Sequence, residues 1–336
     1  MPEERKPNTG APVTSHDGIL QVKVPLPFPL RWVNAYLVPG EAGWTLIDPG
    51  LRTEAAEGLW ETVLADQGIG WRSIERIVLT HHHPDHYGLA GWFQERTGAP
   101  VFLSETGLRQ VRLLWGEGQP MTGQLMELFR RHGLPEELDG PMRGHMDGFV
   151  PSVSPQPQVT AIRAGEPFRL GDALYETIET PGHAAGHIIF FRSETGIMFC
   201  GDHVLPQISP NVSYLPGGID ENPLASYLAS LADIARCEVR LAFPGHREPF
   251  AHLARRAQEL LAHHDERLKA MQALVGEGGT AYEVCRASFG DRLTLHQLRF
   301  ALAETLAHLI WLREAGRLRE TEADGRVRYE PLQLTV

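Results

Sequence analysis

Cysteine is scarce in this sequence of 336 residues: only Cys200, Cys237 and Cys285 occur. Three is an odd number and their spacing fits neither a disulfide framework nor a thiolate metal site, so both are excluded and a reducing, cytoplasmic setting is expected. No apolar run approaches the roughly 20 residues of a membrane-spanning helix. Residues 1–15 are polar and proline-rich and have no hydrophobic segment of the kind a signal peptide carries, so neither a membrane protein nor an exported one is expected. Positive charge is short as well. Lys plus Arg number 31 against 42 Asp plus Glu, and the formal charge of −11 argues against a general binder of polyanions. The remainder, 42% hydrophobic and 22% charged, is the make-up of a globular chain with a large core and room for a second, small domain.

Histidine, by contrast, is concentrated. Thr80-His81-His82-His83-Pro84-Asp85-His86 places four imidazoles and a carboxylate in a short stretch. Residues 74–79 before it contain the β-branched apolar run Ile77-Val78-Leu79, which predicts a buried strand. Pro84 suits a first helical turn, and Leu89, Trp92 and Phe93 at helical spacing predict a helix over 85–97. The cluster is therefore a strand-to-helix loop. On an extended segment His81 and His83 share a side and His82 points away, whereas Asp85 and His86 lie on the following turn and face a second point. That spacing suits two metal ions, for which neutral imidazole and carboxylate are ordinary ligands.

The same design recurs along the chain. Strands are predicted over 19–24, 33–38 and 44–47, the last ending at Asp48-Pro49-Gly50, where the carboxylate either caps a helix or orients a ligand imidazole from behind. A helix over 53–67 precedes the histidine cluster, and a strand at 101–103 follows it. Residues 104–159 break the rhythm with two helices over 105–131 and a Gly- and Pro-rich second part, the pattern of a lid or pocket wall. His132 and His145 within it read as solvated loop histidines. Further strands end at Thr180-Pro181-Gly182-His183, at Gly201-Asp202-His203 and at Pro244-Gly245-His246. Glycine beside each ligand-type residue permits close backbone approach.

In these motifs the sequence resembles the metallo-β-lactamase superfamily, and in particular its glyoxalase-II-like branch. The resemblance covers about residues 19–250 and implies an α/β fold, an αββα sandwich with metals at one edge. It implies that His81, His83 and His183 hold one metal, that Asp85, His86 and His246 hold a second, and that Asp202 bridges them. Two zinc ions per chain are implied, with iron or manganese as alternatives. Ala184 departs from the Thr often found after the third-motif histidine, and the insertion at 104–159 is not general to the family.

Residues 253–336 read as a separate unit: helices over 253–274, 281–289 and 294–315, then a hairpin over 317–330 around Asp324-Gly325. The chain thus divides into an extension (1–18), a catalytic domain (19–252) and a tail (253–336). The tail resembles that of the winged-helix-bearing subgroup of the superfamily, whose members include an animal mitochondrial single-strand endoribonuclease. Charge opposes nucleic-acid reading, since the tail has 12 basic and 12 acidic residues and the segment 294–315 offers only Arg299 and Arg313 against Glu304 and Glu314. Leu295, Leu298, Leu302, Leu306 and Leu309 predict a buried stripe on that helix. A packing role, over the site or in a homodimer, is expected. His263 and His264 read as solvent-exposed.

The reaction expected is hydrolysis of a small ester, thioester or lactone by a metal-bridging hydroxide that Asp85 orients and later relieves of its proton. His187 and His203 are either donors to a ligand or to the developing oxyanion, or structural residues, and Tyr214 is placed to reach the substrate. Single-stranded RNA cleavage and mononuclear iron chemistry on persulfides are the alternatives that the resemblance implies. Antibiotic hydrolysis is disfavoured by the lack of an export signal.

Overall fold

A computed structural model describes residues 12–332, apart from 117 and 119. Seven strands form the first sheet in sequence order: β1 (Val13–His16), β2 (Ile19–Pro25), β3 (Trp32–Pro39), β4 (Trp44–Ile47), β5 (Ile74–Val78), β6 (Val101–Ser104) and β7 (Val159–Ile162). The meander β1 to β4 is antiparallel, and β4 to β7 run parallel because helical crossovers join them. Of the extension expected over 1–18, residues 1–11 lie outside the described residues, and Val13–His16 is a strand paired with β2 through a turn at Asp17-Gly18, both with positive φ.

The second sheet comprises β8 (Phe168–Leu170), β9 (Ala173–Glu179), β10 (Ile188–Arg192), β11 (Ile197–Gly201) and β12 (Leu241–Pro244). Tyr36, Ile47, Val78, Phe190, Phe199 and Phe243 pack between the two sheets. Outside the first sheet lie α1 (Glu54–Asp66), α2 (Pro84–Tyr87), α3 (Ala90–Thr97) and α4 (Glu105–Trp115), sealed on it by Trp60, Trp92 and Phe93. The helix expected over 85–97 is two pieces. The break at Gly88 lets the chain pass close to two others: a Cβ there would lie 2.4 Å from the Ser152 carbonyl oxygen and 2.9 Å from the Arg52 nitrogen.

Residues 104–159 continue with α5 (Pro120–Arg131) and α6 (Asp139–Asp147). Outside the second sheet lies α7 (Pro223–Ile234), a helix that the strand pattern of the sequence does not announce, although Asn222 caps it and Pro223 occupies its first turn. The tail supplies α8 (Leu253–Val275), α9 (Ala281–Phe289), α10 (Leu295–Glu314) and the hairpin β13 (Leu318–Ala323) with β14 (Arg326–Pro331). Asp324 and Gly325 both have positive φ, the geometry of the two-residue turn that an Asp-Gly pair favours.

The tail is not a separate body. Leu125, Phe129 and Met142 of the insertion, Met198 and Leu231 of the sandwich, and Leu268, Leu306 and Tyr329 of the tail belong to one continuous core. The insertion is therefore pinned to the tail and not a free lid. Its His132 is buried and stacked on Tyr329 at 5.8 Å, against the expectation of a solvated residue. His264 is likewise fully buried, hydrogen-bonded to His308 at 3.1 Å, and does not reach the site mouth. The helix α10 is buried on almost every side from Leu298 to Leu312, well beyond a single leucine stripe. Among the described residues no helix is long and apolar enough to cross a membrane.

Candidate metal centre

All the ligand-type residues sit at the edge where β4, β5, β9, β11 and β12 end, so the two sheets aim their loops at one point. The loop after β5 is fixed from behind by Asp48, at the end of β4. One Asp48 oxygen accepts the Thr80 backbone N–H at 2.8 Å; the other accepts the Thr80 hydroxyl at 2.6 Å and His86 Nδ1–H at 2.9 Å. Asp48 thus contacts the His86 ring and not the start of α1, whose cap is Thr53. Because Thr80 Oγ1 donates to Asp48, it accepts from His81 Nδ1–H at 3.0 Å, which leaves His81 Nε2 as a bare lone pair facing inward.

Similar contacts orient the other imidazoles. His183 Nδ1 donates to the Asn211 carbonyl at 2.7 Å and His246 Nδ1 to the Trp32 carbonyl at 2.9 Å, so each presents Nε2. The His246 loop is held by the first sheet: the Pro244 carbonyl accepts from Asn34 Nδ2 at 2.9 Å and from the Tyr36 hydroxyl at 2.6 Å. His81 Nε2 lies 3.1 Å from His83 Nδ1 and 3.4 Å from His183 Nε2. Three lone pairs that face one another repel unless a cation lies between them.

A second group stands beside the first. His246 Nε2 is 3.3 Å from Asp85 Oδ2, and His86 Nε2 is 3.8 Å from the same oxygen. Asp202 spans both groups: Oδ1 lies 3.4 Å from His86 Nε2, while Oδ2 lies 3.3 Å from His246 Nε2 and 3.7 Å from His183 Nε2. The sets His81/His83/His183 and Asp85/His86/His246 each bring one donor atom per residue within 4.8 Å of the others. The donor atoms fit divalent cations, since the buried His86 Nε2, His246 Nε2 and Asp202 Oδ1 have no hydrogen-bond partner in the protein.

The electrostatics agree. Burial pushes the pKa of His81 and His83 well down, helped by neighbouring imidazoles, so both are neutral ligands at pH 7. Burial opposes charge on His246 too, but Asp202 and Asp85 outweigh it and lift its pKa to about 10. Asp202, despite burial, is held well below the usual carboxylate range by His246 and His86.

The structure thus brings together His81, His83, Asp85, His86, His183, Asp202 and His246, with Asp48 behind them. His187 is also behind: its ring is 5.0 Å from that of His81, and its Nδ1 meets the Thr180 hydroxyl at 2.8 Å. His203 is fully buried with its ring 5.2 Å from Tyr227, so it backs the site and does not face a substrate. Tyr214 is a correction. Ser213 and Leu215 line the cleft beside the first group, whereas Tyr214 between them packs into the tail core and feels Arg313 and Glu320. His82, turned away from His81 and His83 as the extended segment predicts, is buried in the wall of that cleft together with Gln110, Ser213 and Asp220.

The family model of the metallo-beta-lactamase superfamily matches residues 30–246. The chain belongs to that superfamily. A second model, the metallo-beta-lactamase-like C-terminal domain, matches residues 268–332. A metallo-beta-lactamase family protein from Thermus thermophilus is 38% identical, with a TM-score of 0.82 over 94% of this chain and 99% of that one. A beta-lactamase domain protein from Burkholderia ambifaria is 31% identical, with a TM-score of 0.83 over 95% and 94%. The probable metallo-hydrolase YqjP of Bacillus subtilis is 28% identical over 309 residues, 88% of this chain and 92% of that protein. Superfamily membership thus extends along both the sandwich and the tail.

Proposed function

We propose that this metallo-β-lactamase-fold hydrolase holds two zinc ions and cleaves a small ester, thioester or lactone. The observation that supports two ions is Asp202, whose carboxylate stands between the two ligand groups: Oδ2 lies 3.3 Å from His246 Nε2 of one and 3.7 Å from His183 Nε2 of the other. Two such ions supply an acidified water and a Lewis acid for the scissile carbonyl at neutral pH. The protein does the rest. Asp85, one-fifth exposed, is the least buried ligand of the second group and would take the proton released on attack. His82 in the wall of the cleft is neutral, its pKa lowered by burial to about 3, and brings no charge there. The apolar backing from Tyr227 and Val204 limits water behind the ligands.

Single-stranded RNA has less support as a substrate. The helix α10 that would read it is buried, and Arg313 is engaged by Glu314 and Glu320.

Elemental analysis of untagged protein tests the reading. Two zinc atoms per chain are expected, with fewer in Asp202→Ala, and turnover of thioesters or lactones lost in both Asp202→Ala and His83→Ala while circular dichroism stays native. Full turnover in either metal-depleted variant would sink the assignment, and one iron per chain would redirect it to oxygen chemistry on persulfides.

A further inference from the structure

The wall on the Asp85 side of the site is assembled from three distant segments. Phe28 comes from the loop between β2 and β3, His145 and Phe149 from the insertion, and His296, Arg299 and Phe300 from the start of α10. Phe28 stacks on His296 at 4.8 Å, and His145 meets both His296 and Phe149 edge-on at 5.4 and 5.2 Å. The loop of Phe28 leads into Trp32, whose carbonyl accepts from His246 Nδ1–H at 2.9 Å, and residues 150–153 after Phe149 pack on α2, which carries Asp85 and His86, so this wall stands beside the second ligand group.

One turn further along α10, the Arg299 guanidinium lies 3.9 Å from the ring centroid of Phe300 and 5.6 Å from that of Phe149. Its Nη1 faces the Met146 sulfur at 3.5 Å, and its Nε is buried with no partner. Among the described residues no carboxylate lies within ion-pair distance of it. A cation in an aromatic and thioether cradle with no counter-ion is costly to keep unless an anion visits it. Burial lowers its pKa to about 10, so it remains charged at pH 7, whereas burial lowers His296 to about 4 and leaves it neutral.

We propose that Arg299 is the subsite for a carboxylate on the substrate, at the end remote from the scissile acyl group, with Phe28, Phe149 and Phe300 enclosing the chain between them. The occupant is a small acid ester or thioester and not a polyanion, because a single cation in an apolar enclosure offers no track for successive phosphates. The inference rests on the hydrolase reading but is testable apart from it.

The test compares wild type, Arg299→Met and Arg299→Lys, all zinc-loaded, in two assays. Calorimetry with glutarate reads the subsite, and hydrolysis of 4-nitrophenyl acetate against mono(4-nitrophenyl) glutarate reads selectivity. In Arg299→Met glutarate affinity and the ratio of kcat/KM for the acidic over the neutral ester are each expected to fall about ten-fold or more, as for loss of a charged hydrogen bond. Zinc content and melting temperature are expected to hold, and Arg299→Lys to recover part of the preference. Equal glutarate affinity in wild type and Arg299→Met would overturn the subsite, because the anion would then be held at the metals alone. So would an equal slowing of both esters with a lowered melting temperature. If wild type cleaves neither ester, the hydrolase reading fails, and the glutarate comparison still decides the subsite.

Discussion

At the residue scale the site depends on a few atoms that carry no ligand role. Asp48 accepts three hydrogen bonds and fixes the presentation of His81 and His86. Asp48→Asn keeps its shape but cannot accept from all three donors. A loss of about 10- to 100-fold in metal affinity is expected, measured by competition with a chelator, with the fold retained. Gly245 acts through what it lacks: a Cβ there would lie 2.1 Å from Asp202 Oδ1 and 2.6 Å from His86 Cε1. Gly245→Ala should therefore displace the spanning carboxylate and lower metal content in elemental analysis. These positions were legible in the sequence because a glycine beside a ligand-type residue at a strand end is a local pattern. Tyr214 was not, because its direction is decided by docking on α10, where its backbone N–H meets the Ala303 carbonyl at 3.0 Å. No neighbouring residue records that contact.

Among the elements, α10 shows how far periodicity reaches. Its extent and its capping box at Thr294 and Gln297 follow from sequence, but its surroundings do not. A leucine stripe presumes one wet side, and α6, α7, α8, α9 and β13 between them leave almost none. Two consequences can be measured. His264 Nδ1–H donates to His308 Nε2, and His308 Nδ1–H donates to the Glu304 carbonyl, a chain that requires the accepting His308 ring to be neutral and leaves the buried His264 Nε2 without a partner for a proton. Burial lowers their pKa values to about 3 and about 4. Between those values and the unfolded value of about 6.5 the unfolded chain binds more protons, so stability is full above about pH 6.5 and declines on acidification by about 1.4 kcal/mol per pH unit per histidine. Urea unfolding at about pH 7 and about pH 5 should show the decline, and the double variant His264→Phe, His308→Leu should reduce its slope, the other buried histidines keeping the rest. Glu304, from the same helix, accepts from Asn211 Nδ2 at 2.7 Å and Arg267 Nη1 at 2.6 Å, and the Asn211 carbonyl in turn holds His183. Glu304→Ala is expected to cost about 2–3 kcal/mol in urea unfolding, since it strands a mostly buried guanidinium and amide. A lower metal affinity should accompany that loss.

For the molecule as a whole, the αββα order was readable because strands alternating with amphipathic helices leave few ways to stack. The union of insertion and tail was not, since nothing local tells Phe129 that Leu306 and Tyr329 will cover it. Removing residues 253–336 should therefore yield not a smaller enzyme but an aggregating chain, as sedimentation and circular dichroism would show. Synthesis makes the point in time. A ribosome adding about 5–20 residues per second finishes His246 several seconds before Tyr329, which is wholly buried. A nascent chain arrested in that interval already possesses every candidate metal ligand, yet the outer side of its second sheet has only α7 to cover it. Such a fragment is a client for chaperones and proteases before it is a catalyst.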